Sequence, residues 1–369
     1  MTDEPRKYPL RRPEGHVPPV PRWRLILPED APKVHIAYIG VQRHRDDAES
    51  RRAEKQATDA LDDWSKAHSP EATEAFATLS GNDVQGSLVW VAYWLCGGSF
   101  AEALQALDLR RIHERLGAGR ENVGLWVERF GVEASRLETN YTGLDYLPGL
   151  GSLPRTGTER HTLTAYWGAA RDRIPDSAHD LFGSDNATLQ QGPVDGRGRH
   201  LRGTNARNAV HIRSGQWWAD CPEDETESYE RKLEPTLRAG MGYLLANPVD
   251  TGTLGLRYLR NTTTTSTTTA RNSDAAKEGE EEEEPPPLKE TCVAATFTSL
   301  GALEGWAKGH KSHLAIYNGA MRHAKTFGPE RRFRTWHEVV VLGEGEGTYE
   351  YLNCGEGTGV MGRMELRDV

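Results

Sequence analysis

The chain has 369 residues, 37% of them apolar, which is enough to pack one large domain or two modest ones and excludes a disordered chain. A formal net charge of −9 and a pI near 5.9, with arginines scattered rather than striped, exclude the clustered basic surface that nucleic-acid partners need. The longest apolar run, Leu88 to Cys96, is too short to span a bilayer, and the Pro- and Arg-rich N-terminus has no hydrophobic signal core.

These features predict a soluble, cytoplasmic protein with no membrane partner. The four cysteines, Cys96, Cys221, Cys292 and Cys354, form neither a CxxC pair nor a CxxCH haem-attachment motif and are expected to be reduced thiols. Residues 1–33 carry Pro9, Pro13, Pro18, Pro19 and Pro21 and are expected to be an extended surface arm, with regular structure beginning after it. HIAYIGVQ at 35–42 has strand composition, and Asp46 to Ala67 places Ala53, Ala57, Ala60, Leu61 and Trp64 at helical spacing. SLVWVAYW at 87–94 predicts a buried strand, after which Gly97 and Gly98 turn the chain into a helix with Ser99 as its N-cap.

The same order recurs later. NAVHIRSGQWW at 208–218 predicts a strand, Pro222 to Ala246 a helix, GTLGLRYLR at 252–260 a strand, and residues 292–310 a strand, a cap and a helix. LVWVAYWLCGGSFAEAL and CVAATFTSLGALEGWAK run in parallel, a hint of internal duplication. The fold class expected from two such units is α+β, with paired antiparallel sheets and flanking helices in a barrel-like arrangement. The halves would span about 34–135 and 205–355 of a single domain covering 34–369. EVVVLG and TYEYLNC near the end predict a hairpin. Residues 261–289, a Thr tract followed by an acidic block and prolines, have almost nothing to bury and predict a disordered insertion. Loop length is cheap to add, at roughly 0.6 kcal/mol per doubling.

The chemistry-bearing residues are less sharply marked. Of the 13 histidines, His310, His313 and His323 crowd the segment GHKSHLAIYNGAMRH, where the absence of HExxH argues against zinc hydrolysis. His313 precedes the apolar run LAIY and reads either as a satisfied core residue or as the single axial ligand of a flat apolar cofactor such as haem. Pattern alone favours the former. Strand alternation in WHEVVVL sets His337, Val339 and Val341 on one face and Trp336, Glu338 and Val340 on the other, which predicts a buried, neutral imidazole. Arg171 and Arg173 precede the break at Pro175, and Glu138 offers a carboxylate that can orient one of them. Ser214, beside Gly215, has no GxSxG elbow around it, so its hydroxyl is a candidate for facing a cavity rather than a hydrolase nucleophile.

Taken together, YWGAARDRIP, IRSGQ, CPEDETESYERKLEPTLRAGMGYL, WAKGHKSHLAIYNGAMRHAK, WHEVVVL and YLNCGEGTG resemble the aldoxime dehydratase family, and the resemblance covers most of the chain outside the Thr/Glu tract. It implies a duplicated ferredoxin-like fold of the dimeric α+β barrel type that binds one non-covalent haem b, with iron(II) in the active form, and it allows a homodimer. By the same resemblance the proximal iron ligand is His313, with His310 as the competing neighbour. His337 is then the distal acid–base residue, Ser214 holds the oxime hydroxyl, and Arg173 with Glu138 completes the site. The implied reaction removes water from an aldoxime to give a nitrile, with the oxime nitrogen on the iron and His337 passing protons. The sequence reads Trp217 and Ala219 where that family more usually has Asp and Ser, so the resemblance does not fix distal-pocket shape or substrate. The competing readings are a haem protein of similar fold with peroxidase- or chlorite-dismutase-like chemistry, and a non-catalytic haem-binding module.

Overall fold

The computed structural model describes residues 5–183, 192, 194–262 and 288–369, so most of the tract expected to be disordered lies outside the described residues. The first stretch runs β1 (Trp23–Ile26), β2 (Lys33–Arg43), α1 (Ala48–His68), β3 (Ala72–Gly81), β4 (Leu88–Trp94), α2 (Gly97–Ala106), α3 (Leu109–Arg115), β5 (Val123–Glu133), β6 (Leu137–Tyr141) and β7 (Gly157–Arg160). After α4 (Ala169–Arg173) come β8 (Gly196–Thr204), β9 (Val210–Trp217), α5 (Glu223–Ser228), α6 (Glu234–Ala246), α7 (Pro248–Thr251), β10 (Thr253–Asn261) and β11 (Glu290–Phe297). The chain closes with α8 (Leu300–Gly309), α9 (Lys311–Phe327), β12 (Arg334–Val341), β13 (Gly347–Cys354) and β14 (Arg367–Asp368).

Every described strand joins one antiparallel sheet of 14, in the order β14-β8-β13-β5-β2-β4-β3-β10-β11-β9-β12-β6-β1-β7. The stretch from β2 to β5 runs strand, helix, two strands, helices, strand, and the stretch from β9 to β12 does the same. Each four-strand block takes the same order, β5-β2-β4-β3 and β12-β9-β11-β10, and the blocks join where β3 pairs with β10. The sheet then folds on itself. Tyr38 of β2 meets His211 of β9 with ring centroids 4.8 Å apart, and Arg257 of β10 reaches Glu128 of β5 at 2.6 Å. Helices cover the outer faces. Ala53, Ala57, Leu61 and Trp64 form the buried stripe of α1 against Ala37, Ile39 and Val41 of β2. Leu300 and Leu303 of α8 and Met241 and Leu244 of α6 pack on Val293, Ala295 and Val339.

The structure departs from the sequence expectations in five places. The segment 1–33 contains β1, because Trp23 to Ile26 finds a partner strand in β7. Helix α2 starts at Gly97 rather than behind Ser99: Phe100 N–H already bonds Cys96 O at 3.1 Å, and Cys96 supplies no side-chain cap. Strand β3, absent from the sequence reading, fills the gap between α1 and β4. The two C-terminal strands are not a hairpin, since β12 lies between β6 and β9 while β13 lies between β5 and β8. By contrast the cap expected within 292–310 is present: Ser299 caps α8, accepting from Ala302 N–H at 3.1 Å. The helix expected from Pro222 to Ala246 is interrupted by a π turn at Tyr229–Leu233, immediately before Pro235. Proline has no N–H to close a regular turn there, and the widened turn absorbs the mismatch.

One packing device occurs in both blocks. Trp126 of β5 lies across Gly40 of β2, and Trp336 of β12 lies across Gly215 of β9; a Cβ on either glycine would sit 2.1 or 2.2 Å from the indole. The two glycines are paired in register with those same tryptophans. Both indoles are buried. Gly215→Ala therefore forces the Trp336 ring off its strand, and a loss of about 1–3 kcal/mol in unfolding free energy is expected by denaturant titration.

Candidate functional site

Period-two alternation on four neighbouring strands builds one wall of a cavity of about 710 Å³. Glu138 and Asn140 of β6, Thr335, His337 and Val339 of β12, Ile212, Ser214 and Gln216 of β9, and Val293, Ala295 and Phe297 of β11 all face it. The opposite wall is helical. His313, Ile316, Tyr317 and Ala320 of α9 recur at the spacing of one helix face, with Leu303 and Trp306 of α8 and Leu237 and Met241 of α6 beside them. The π turn brings Tyr229 and Leu233 into the same wall, while the segment 164–170 and Arg22 close the side.

On the sheet wall three charged or titratable groups meet. Arg173 grips Glu138 with two hydrogen bonds, Nε to Oε2 at 2.7 Å and Nη2 to Oε1 at 2.9 Å, and donates a third to Leu163 O. His337 Nε2 lies 2.8 Å from Arg173 Nη2 and 3.0 Å from Glu138 Oε1. The Glu138 side chain has no solvent exposure. Burial alone would raise its pKa, but Arg173 and His337 together outweigh that and hold the carboxyl down at about 2. His337 is a quarter exposed rather than fully buried, because its ring borders the cavity. Ser214 sits mid-strand, directly opposite His337 in the β9–β12 register, and its hydroxyl has no protein hydrogen bond among the described residues.

Across the cavity, His313 lies edge-on to Trp306 with centroids 4.8 Å apart. Its Nδ1 is buried without a hydrogen-bond partner. Burial pulls its pKa down, with the Ala307 backbone carbonyl opposing, so the neutral imidazole is favoured, the form that ligates metals. His310 is placed elsewhere: it caps α9 by accepting from Ser312 N–H and stacks on Tyr243 at 3.6 Å. His323 bonds Glu225 and Ser228, away from the cavity. Arg171 separates from Arg173 and pairs with Glu304 at 2.7 Å. Trp217 is buried against Tyr146, stacked at 4.5 Å, and is not a cavity wall.

The sequence reading brought forward Glu138, Arg173, Ser214, His313 and His337, and the fold gathers all five around one cavity. It missed Asn140, two residues beyond Glu138 on β6 and directly opposite His337, a position that strand alternation in LETNY could have found. Asn140 Oδ1 lies 3.1 Å from His161 Nε2. Burial and the nearby Arg173 charge lower the His161 pKa to about 4, which keeps that imidazole neutral. Arg22 was also missed, since nothing in a proline-rich arm signals a cavity residue.

The depressed pKa of Glu138 fixes a pH dependence. A carboxylate held near 2 in the folded chain and near 4.5 when unfolded stabilises the fold above the unfolded value, and that contribution disappears as pH falls through the folded one. Glu138→Gln is therefore expected to cost roughly 3 kcal/mol at neutral pH, the difference from the parent chain shrinking between about pH 4.5 and 2. Denaturant unfolding of both chains across that range measures it.

The chain is 28% identical to an aliphatic aldoxime dehydratase of Pseudomonas chlororaphis over 97% of its length and 95% of the relative's. It is 26% identical to a phenylacetaldoxime dehydratase of Bacillus sp. strain OxB-1 over the same shares of the two chains. A crystal structure of an aldoxime dehydratase superimposes with a TM-score of 0.79 at 28% identity, covering 98% of this chain and 96% of that one. Another, solved with butyraldoxime, gives 0.77 at 27% identity, covering 98% and 94%. Residues 37–360 match the haem-containing dehydratase family, to which the chain belongs.

Proposed function

We propose that this chain dehydrates aldoximes to nitriles at a haem b held by His313. The observation that carries the reading is a single cavity with, on its helical wall, an imidazole whose Nδ1 has no hydrogen-bond partner among the described residues and, on its sheet wall, the Glu138–Arg173–His337 cluster beside Ser214. The cavity suits the cofactor. Its volume lies within the range of cofactor pockets, its walls are mostly aliphatic and aromatic, and His313 is the imidazole on that wall with a ring nitrogen left without a partner. Bound there, ferrous haem would supply an electron-rich Lewis acid for the oxime nitrogen. Its requirement for reducing conditions fits the unpaired state of all four cysteines and a cytoplasmic setting.

The residues of the sheet wall account for the protons. Dehydration of R–CH=N–OH breaks the N–O bond and one C–H bond, and releases R–C≡N and water. Hydroxide is a poor leaving group, so a proton must reach the oxime oxygen. Ser214 is placed to hold that hydroxyl. Glu138 Oε1 lies 3.0 Å from His337 Nε2 and holds the ring, and Nδ1, which has no hydrogen-bond partner among the described residues, is the nitrogen that delivers a proton as water departs. The same Nδ1, now neutral, takes the proton from carbon and returns to its starting state. Arg173 keeps Glu138 ionised throughout, so the imidazole ring is held in one orientation during both transfers. No net oxidation occurs.

The matching strand orders and the repeated Gly–Trp pairs, Gly40 with Trp126 and Gly215 with Trp336, support reading the domain as two ferredoxin-like halves, about 34–135 and 205–355. The N-terminal segment lies against this domain, with Arg11 and Arg12 N–H groups bonding Asp172. A homodimer is the assembly expected of the fold type. No helix among the described residues is long and apolar enough to cross a membrane.

Anaerobic incubation of dithionite-reduced protein with phenylacetaldoxime and with butyraldoxime should yield the corresponding nitrile from at least one of them. Turnover of peroxide by the ferric protein, with neither nitrile formed, would replace this reading with oxygen chemistry. His337→Ala is expected to lower kcat by roughly 10²- to 10⁴-fold with the Soret band intact. His313→Ala should instead lose the Soret band. An unchanged kcat in the His337 variant would remove that residue from the chemistry, and a chain that binds haem but turns over neither aldoxime nor peroxide would be a haem-binding module.

A further inference from the structure

The ionic pairing of this chain has one conspicuous gap at the cavity. Arg171, Arg173, Arg213 and Arg257, the buried guanidinium groups, each meet a carboxylate. Arg22 also borders the cavity and is half-buried, yet among the described residues it has no carboxylate partner and donates only to the carbonyl of its neighbour Pro21, at 3.0 Å. Its nearest charges make matters worse. Burial, then Arg331 and Arg173, push its pKa down to about 10, with Tyr317 alone opposing. A half-buried cation under the influence of other cations gains from an anion brought beside it. Lys308 borders the cavity too, but it is solvent-exposed and incurs no such cost.

The position of Arg22 identifies the anion. Tyr317 lies four residues beyond His313 on α9, and Arg173 lies against His337, so Arg22 stands where the helical wall and the acid–base wall converge. The backbone fixes it there. Arg22 O accepts from His161 N–H, and the next residues are the strand β1 paired with β7. A planar cofactor lying between the two walls would turn its edge toward this guanidinium, and the polar edge of haem b carries two carboxylates. We propose that Arg22 is the carboxylate receptor of the cavity, forming an ion pair with one acidic side arm of the bound haem. The N-terminal segment thereby becomes part of the cofactor site. This inference rests on the reading of the cavity as a haem site.

Full-length protein reconstituted with ferric protoporphyrin IX, or with its dimethyl ester, is mixed with excess apomyoglobin and porphyrin transfer is followed in the Soret band. A charge-assisted hydrogen bond predicts that Arg22→Gln releases the diacid about 10- to 100-fold faster than the parent chain. The diester should leave both proteins at the same rate, and Arg22→Lys should restore part of the retention. Equal release of the diacid from parent and Arg22→Gln proteins would overturn the assignment while leaving haem binding intact. A parent chain that takes up neither porphyrin would overturn the haem reading and this inference with it. If haem release is unchanged but Arg22→Gln selectively loses turnover of an aldoxime bearing a terminal carboxylate, relative to its methyl ester, the anion belongs to substrate and the cofactor assignment fails.

Discussion

Glu138 is a carboxylate with no access to water, and it stays charged because Arg173 covers both of its oxygens and His337 lies beside them. An isolated buried carboxylate would take up a proton instead. Much of the local architecture serves this one ion pair: β6 carries Glu138, the short helix α4 carries Arg173, and β12 sets His337 beside both. Because the pair satisfies itself, its remaining electrostatic influence falls on the imidazole. A plain structural motif, a bidentate Arg–Glu bridge, thereby lies within hydrogen-bond distance of a histidine ring at the cavity.

The opposite face of the same strands shows a different use of charge. Arg213 and Glu338, the neighbours of Ser214 and His337, point into the closed interior of the sheet, where Arg213 meets Glu74 and Tyr93 and Glu338 accepts from Tyr93 and Leu150 N–H. Burial pushes Glu338 up to about 7, with Arg213 opposing. Nearby Glu290 is pushed up likewise to about 7, by burial and by Glu74. Strand alternation thus separates a face that lines the cavity from an interior face whose charged groups pair with one another.

The parts of this molecule legible in sequence were those governed by local pattern. The α1 stripe, the Ser299 cap and the alternation in WHEVVVL each depend on residues within a few positions, and each stands in the structure. Strand partnership was not legible. Nothing local in EVVVLG and TYEYLNC says that the two strands belong to different blocks, since that choice is made by β5, β6, β8 and β9 far away in the chain. The site shows the same division. Residue by residue, His313 and His337 had equally good structural explanations, and only the family resemblance raised them above these. Asn140 and Arg22 carried no such resemblance and emerged only when the sheet and the N-terminal segment were assembled around the cavity.

The junction between α8 and α9 sets where His313 points. His310 ends one helix and caps the next, so the rotational phase of α9 is set three residues before His313. Each residue of a helix advances the side-chain direction by roughly 100°. Length at this junction is therefore far less negotiable than composition: a single residue gained or lost between the cap and the imidazole would swing that ring out of the slot, while many exchanges of type would leave its bearing untouched.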